Sequence, residues 1–448
     1  MIAAFLCFAS LAVVFVCARK SLGAGLVALL CVGYAYGFLR ANLQVTASHF
    51  IFDAAVLGIY IAAFMSRARG WARYRSVGLY QWLAVLMMWP LLLFFVPRHD
   101  WMIQFVGLRG AIFFLPFLII GASMEESDFA ALATGMAVLN TAEIVIALSQ
   151  FTFGIQQWFP ESQVTAIIFG SRDVAGGGYR IPGTFVNSAS YGGMMAFTAP
   201  FLLAAWMKPA VSSLRRRLLE IGFLAAGVGV FLSASRTAAI LFAFSLVGIF
   251  ISFRLNNFHR VWIVLLLLVV GWIVARDGRL QRFTTLSDMS MVTKRIQFSM
   301  NSSFVDMLLS HPMGNGLGAG GTSIPYFLQE RVQDRVMMEN QYALILIEQG
   351  ALGLIMWLAF IIWTLVAAWP GMSRTEHIGR FLLWSALAFS FGGAPMGTGL
   401  FTAIPMTPVL MLACGWLIGK RREEKLSARL AGARMSYSGA TSPIPARG

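Results

Sequence analysis

Residues 338–369 read Met-Glu-Asn-Gln-Tyr and then ALILIEQGALGLIMWLAFIIWTLVAAW. The second part runs from Ala343 to Trp369 with Glu348 as its one charged residue. Crossing a bilayer takes about 20 apolar residues in a helix, and in lipid a single segment can pair all its own N–H and C=O groups only as a helix. This stretch therefore decides an all-α membrane fold. Before it lie roughly sixty residues, 276–338, that are polar and glycine-containing. A loop of that length is usually functional. Ile296, Met300, Phe304 and Leu308 recur every four residues with Met307 beside them, which predicts an amphipathic helix ended by His311-Pro312. Next comes Gly314-Asn315-Gly316-Leu317-Gly318-Ala319-Gly320-Gly321, a backbone free to approach a ligand or another helix closely. Glu339 stands where the loop re-enters the membrane.

The rest of the chain repeats the pattern of the first stretch. Of 448 residues, 58% are hydrophobic and 12% charged, with a mean hydropathy of +0.74; a soluble globule carries about twice that charged fraction. Apolar runs at 3–17, 22–38, 50–65, 77–96, 102–122, 129–151, 188–207, 218–232, 237–253, 261–274, 343–369, 381–391 and 404–419 predict an all-α polytopic protein with about 12–13 transmembrane helices. Its large outward loop carries short helices. The organisation is a helical region 1–275 with an outward loop at 152–187, the large loop 276–338, a second helical region 339–419 and a basic tail 420–448.

The net charge of +15 does not imply nucleic acid, because of where the charge lies. Arg19-Lys20, the Arg67/Arg69/Arg73/Arg75 cluster, Lys208 with Arg215-Arg216-Arg217, Arg254/Arg260, Arg374/Arg380 and the tail fall on alternate connections. They hold about 21 of the 34 Lys and Arg residues, the positive-inside pattern. This puts the C-terminus in the cytoplasm and the loops 152–187 and 276–338 outside. Cys7, Cys17, Cys31 and Cys414 all lie in apolar runs, so neither a disulfide framework nor a metal cluster is expected. The N-terminal run lacks a basic leader and a small-residue cleavage site, and reads as a retained span.

Chemistry concentrates at a few positions. Arg109 lies about 10 Å into its span, facing either the surface or a polar cavity. Asp53 opens the third span and reads as structural. Glu143, inside 129–151 with no charge near it in sequence, needs a partner from another helix, and Arg109 is a candidate. The outward loop presents Arg180-Ile181-Pro182-Gly183-Thr184-Phe185, and Ser233-Ala234-Ser235-Arg236-Thr237 makes a tight outward hairpin between two spans. Arginine offers a planar fork suited to phosphate. Arg180, Arg236 and Arg109 are thus candidates for one phosphate site, against the bland reading that each meets lipid headgroups. Helical phase puts Glu339, Tyr342 and Leu346 on one face and Glu348 on the opposite one. That favours Glu339 as a base and gives Glu348 a packing role ahead of Gly350. Gly316-Leu317-Gly318-Ala319-Gly320-Gly321 matches a dinucleotide fingerprint formally, but no βαβ unit surrounds it. His311 reads as a helix-end residue.

These motifs together resemble the bacterial O-antigen ligase and polymerase superfamily over roughly 108–368. The resemblance rests on Arg180 with Gly183-Thr184-Phe185, on 233–237, on His311-Pro312-Met313-Gly314-Asn315-Gly316-Leu317-Gly318, and on Glu339-Asn340-Gln341-Tyr342 followed by Glu348-Gln349-Gly350 and Gly353-Leu354. It implies a glycosyltransferase of the bacterial inner membrane with its active site facing the periplasm. Such an enzyme takes glycan from an undecaprenyl-pyrophosphate carrier without metal, nucleotide sugar or other cofactor. It further implies Arg180 and Arg236, with Arg109, on the pyrophosphate, and Glu339 as catalytic base. Asn340, Tyr342, His311, Gly316 and Gly318 would support the site, and a chain-length regulator and a flippase of the same pathway would be partners. Family ligases have His-Asn where this chain has Glu339-Asn340, so the expectation is a polymerase of exopolysaccharide or O-antigen repeat units. A ligase is the first alternative. A transporter lined by Arg109 and Glu143 is an alternative of another class, disfavoured by the large outward loop and the lack of two similar halves.

Overall fold

The structure is a computed structural model that describes residues 1–66, 77–96, 98–171, 179–208, 211–252, 308–309, 312–321, 324–331, 340–370, 378–397 and 399–421. Every regular element among these residues is helical. The helices are α1 (Ile2–Lys20), α2 (Leu22–Leu43), α3 (Ile51–Ser66), α4 (Val77–Phe94), α5 (Trp101–Ile112), α6 (Phe117–Ala122), α7 (Glu126–Phe153), α8 (Ala166–Phe169), α9 (Ser188–Trp206), α10 (Ser213–Leu232), α11 (Arg236–Ser252), α12 (Gln341–Ala368) and α13 (Ile378–Gly392). A last helix, α14, covers 406–421. Among the described residues, seven stretches are long and apolar enough to span a membrane: α1, α2, α3 with its leading 3-10 turn, α4, α5 with α6, α7 and α12. The protein is a polytopic helical membrane protein. The expected span at 261–274 and the amphipathic helix through Ile296, Met300 and Phe304 lie outside the described residues, as does the basic tail beyond 421.

Small residues set how closely the helices approach, the usual device where lipid offers no hydrophobic drive to packing. A methyl group on Gly415 of α14 would lie 2.0 Å from the Leu118 carbonyl oxygen of α6, and one on Gly121 would lie 2.2 Å from the Leu412 oxygen. A buried polar relay ties α2, α7 and α9: Tyr34 donates to Asn140 Oδ1 at 2.7 Å, and Asn140 Nδ2 donates to Thr198 Oγ1 at 2.8 Å.

The ends assigned to the cytoplasmic side by charge come together. Glu126 at the start of α7 pairs with Lys208 after α9 and lies 3.6 Å from Lys420 at the end of α14. Asp128 Oδ1 accepts from the Gly23 N–H at the α1–α2 turn, at 2.8 Å. Burial, reinforced by Lys420, Arg215 and Arg380, pushes Lys208 down to about 8.

The expected span 102–122 is present but broken into α5 and α6 at Phe113–Pro116, where Pro116 has no N–H to continue the ladder. At the end of the 152–187 connection, Ile181, Pro182, Gly183, Thr184 and Phe185 are all buried.

Candidate active site

The α10–α11 turn is built from small residues. Ser233, Ala234 and Ser235 join the two helices, and Ala234 takes the left-handed conformation with φ +48°. The Ser233 hydroxyl donates to the Val230 carbonyl at 2.7 Å and accepts from the Ser235 N–H at 3.2 Å. Gly192 of α9 packs directly beneath: a Cβ there would sit 2.1 Å from Ser233 Oγ. Arg236 is the first residue of α11, where the amides of a helix's first turn are unsatisfied and favour an anion.

The segment carrying Arg180 lies against that turn. Arg180 Nε donates to the Ser233 carbonyl at 3.0 Å, and the Ile181 N–H donates to the Leu232 carbonyl at 3.3 Å. Two arginines 56 positions apart in sequence are thereby fixed on adjoining connections. Irregular backbone buried in the protein must find partners there, and here it does. The Thr184 N–H donates to Glu143 Oε1 at 2.5 Å, and Thr184 Oγ1 bridges Glu143 Oε2 at 2.8 Å and the Tyr34 carbonyl at 2.5 Å. Gln150 Nε2 donates to the Gly183 carbonyl at 2.7 Å, and the Phe38 N–H donates to the Thr184 carbonyl at 2.8 Å. Gly37 allows this approach, since a Cβ would fall 2.2 Å from the Phe185 carbonyl carbon. Asn187 then caps α9 through the Ser190 N–H at 2.8 Å.

The partners expected for Glu143 and Arg109 are corrected. Glu143 holds the Thr184 turn and does not pair with Arg109. Arg109 instead forms a two-pronged pair with Asp53, with Nε to Oδ2 at 2.7 Å and a second, shorter contact to Oδ1. This pair engages one edge of the Arg109 guanidinium, Nε and one terminal nitrogen.

The glycine loop 312–321 is welded into a break in α12. At Gly350 the helix takes φ 72° and ψ −176°. The hydrogen bond that Ala351 N–H would give to the Ile347 carbonyl is replaced twice over: Ala351 donates to the Pro312 carbonyl at 2.9 Å, and Ile347 accepts from the Asn315 N–H at 2.6 Å. Trp89 Nε1 donates to the Gln349 carbonyl at 2.9 Å. Buried Glu348 packs against this loop, since a Cβ on Gly320 would lie 3.3 Å from its Oε1. Gly318, with φ +82°, meets α5, where Gly107 would bring a Cβ within 2.3 Å of the Gly318 nitrogen. Gly316, with φ +103°, lies over Arg98 and His99, and Arg98 donates to the Gly314 carbonyl at 2.7 Å.

At the head of α12, Asn340 is the cap, its side chain accepting from the N–H groups of Tyr342 at 2.9 Å and Ala343 at 3.2 Å. Tyr342 donates to the Phe391 carbonyl at 2.6 Å, and Gln341 Oε1 accepts from the Gly399 N–H at 2.9 Å. The helix thus begins at Gln341, with Asn340 in extended backbone as its cap. Glu339 and His311 themselves lie outside the described residues. Sequence reasoning missed Gln150 and Gly37 as supports of the site; Gln150, a polar residue in an apolar run, was the visible signal.

Residues 221–358 match a family model described as O-antigen ligase. A search of the curated proteins finds no match. The matched range takes in most of α10, the Ser233–Arg236 turn, the glycine loop, Glu339 and the break at Gly350, and it is over this range that the chain is similar to the O-antigen ligase superfamily. Arg180 and Glu143 stand outside it.

Proposed function

We propose that this membrane enzyme of the O-antigen ligase/polymerase type polymerises undecaprenyl-pyrophosphate-linked repeat units of a surface polysaccharide at the periplasmic face of the inner membrane. The observation that carries the reading is the Arg180 Nε–Ser233 contact, which holds one arginine against the turn that presents the other. Arg180 and Arg236 bind the carrier pyrophosphate, aided by the first-turn amides of α11. Arg109 is left to its Asp53 pair and has a structural role.

In the reaction, a sugar hydroxyl of the acceptor attacks the anomeric carbon of the donor glycan. Its proton passes to the Glu339 carboxylate as the new glycosidic bond forms. The bond from the anomeric carbon to the pyrophosphate oxygen breaks, and its electron pair leaves with undecaprenyl pyrophosphate, whose charge the two guanidinium groups stabilise. Asn340, as cap of α12, fixes the chain direction immediately after Glu339.

A ligase passing finished glycan to lipid A core or protein is the alternative reading of the same matched domain. The transporter reading loses its support, since Arg109 and Glu143 each have a separate buried partner. The test is the lipid-linked glycan profile of a deletion strain. Accumulated single repeat units are expected for a polymerase; accumulated long chains would identify a ligase, and an unchanged profile would overturn both.

A further inference from the structure

A hollow of about 380 Å³ opens between the outer ends of α2 and α7, lined by Phe38, Asn42, Ser149, Phe153, Gln157 and Trp158. Its size falls within the roughly 300–1,000 Å³ of small-molecule sites. Three aromatic rings meet there with two amides and a hydroxyl. Phe38 and Trp158 pack edge to face with centroids 6.1 Å apart, and Phe153 at the end of α7 is 70% exposed. Asn42 Nδ2 donates to the Phe38 carbonyl at 3.0 Å and the Trp158 carbonyl at 3.1 Å, which fixes the amide and leaves its Oδ1 as an acceptor. Ser149 donates to the Ile146 carbonyl at 2.8 Å and keeps lone pairs to offer. The exposed Gln157 amide adds two donors and an acceptor.

This lining selects its occupant by chemistry. None of the six residues is charged, so a phosphate finds no cation there. A hydrocarbon chain would cover the amides of Asn42 and Gln157 without satisfying them. A pyranose fits both halves of the surface. Its C–H face lies on the negative face of an aromatic ring, and its hydroxyl groups exchange hydrogen bonds with amide and serine. The hollow also shares a residue with the Arg180 segment, because the N–H of Phe38 is the donor to the Thr184 carbonyl.

We propose that this hollow is a binding subsite for a neutral pyranose of the lipid-linked glycan, an inference that rests on the glycosyltransferase reading above. The test is saturation-transfer NMR on the full chain in nanodiscs. The probe is oligosaccharide released by mild acid from the producing cells' own lipid-linked glycan, so that it carries neither lipid nor pyrophosphate. Saturation of sugar ring protons is expected with the unmodified protein, with R180A and with R236A, and its loss is expected with W158A and Q157A. In chain-extension assays, W158A and Q157A should raise KM for the lipid-linked glycan about tenfold with kcat little changed. Gln157 is exposed, so Q157A remains informative if W158A folds poorly. Unchanged saturation and KM in Q157A and W158A would overturn the subsite, even with R180A and R236A inactive. Loss of saturation in Q157A alongside full transfer by R180A and R236A would keep the subsite and overturn the pyrophosphate assignment.

Discussion

Glu143→Ala should disable the enzyme without touching a substrate, because Glu143 holds the turn that carries Arg180. The substitution removes the acceptor of the Thr184 N–H at 2.5 Å and the contact to Thr184 Oγ1 at 2.8 Å. The hydroxyl retains the Tyr34 carbonyl; the amide, buried among α2, α7 and α9, retains nothing comparable. An orphaned buried amide costs about 1–3 kcal/mol, enough for the segment to rearrange. Arg180 lies four residues before Thr184, immediately ahead of the buried stretch 181–185, and a displacement of ~1 Å in a positioning group can cost about 10²-fold in rate. Glu143→Gln keeps Oε1 as acceptor and offers an N–H to Oγ1, so it should stay within about fivefold of the unmodified enzyme, the equivalent of ~1 kcal/mol. The assay is chain extension by purified protein in nanodiscs on a lipid-linked repeat unit, with monodispersity checked for each variant. Normal rates from a well-behaved Glu143→Ala enzyme would refute the positioning argument. Equal damage from Gln and Ala would refute it differently, by requiring a carboxyl group where the geometry asks only for an acceptor and a small polar partner.

Three further outcomes are expected. Replacing Arg180 or Arg236 with Ala should lower transfer by about 10²–10³-fold, as for a lost transition-state donor, and Lys should rescue poorly because it lacks the fork; full rates from both Ala variants would return these arginines to the lipid headgroups. Glu339→Gln should lower extension by the ~10²–10⁴-fold of a lost general base, and Glu348→Gln, which keeps the size of the side chain beside Gly320, should cost far less; near-normal extension by the first would remove Glu339 from the chemistry. Gly107→Ala must push a methyl group into the Gly318 backbone at 2.3 Å, a clash of about 1–3 kcal/mol that should speed limited proteolysis within 312–331, whereas Gly392→Ala, with open space around it, should cleave at the unmodified rate.

The spans were legible because lipid permits a single segment one solution, so apolar length alone located α1 to α4, α7 and α12. The Ser233–Arg236 hairpin was legible for a related reason: two apolar runs separated by a few small residues leave no room for anything else. The interior polar partners were not. Arg109 meets Asp53 and Glu143 meets Thr184 across helix contacts, 56 and 41 positions apart, and a sequence names the need for a partner without naming the partner. Burial of 181–185 was hidden because glycine and proline mark irregular backbone equally well in water and in the protein interior. The start of α12 was misplaced through Asn340, a strong cap that read as a supporting polar residue.

The break at Gly350 explains why a glycine loop and a membrane helix are inseparable here. A helix interrupted in lipid exposes a carbonyl and an N–H, each unsatisfied group costing several kcal/mol there. In α12 the exposed pair is Ile347 C=O and Ala351 N–H, and residues 312–315 of the loop supply one partner to each. Withdrawing the loop would orphan both at once, so the break persists only while the loop is seated. Seating requires Gly314 at φ +72°, whose Cβ would otherwise lie 2.7 Å from the Gly350 nitrogen, and the bare faces of Gly107 and Gly318. The same exchange fixes the first part of α12, capped by Asn340, relative to α5 and the loop.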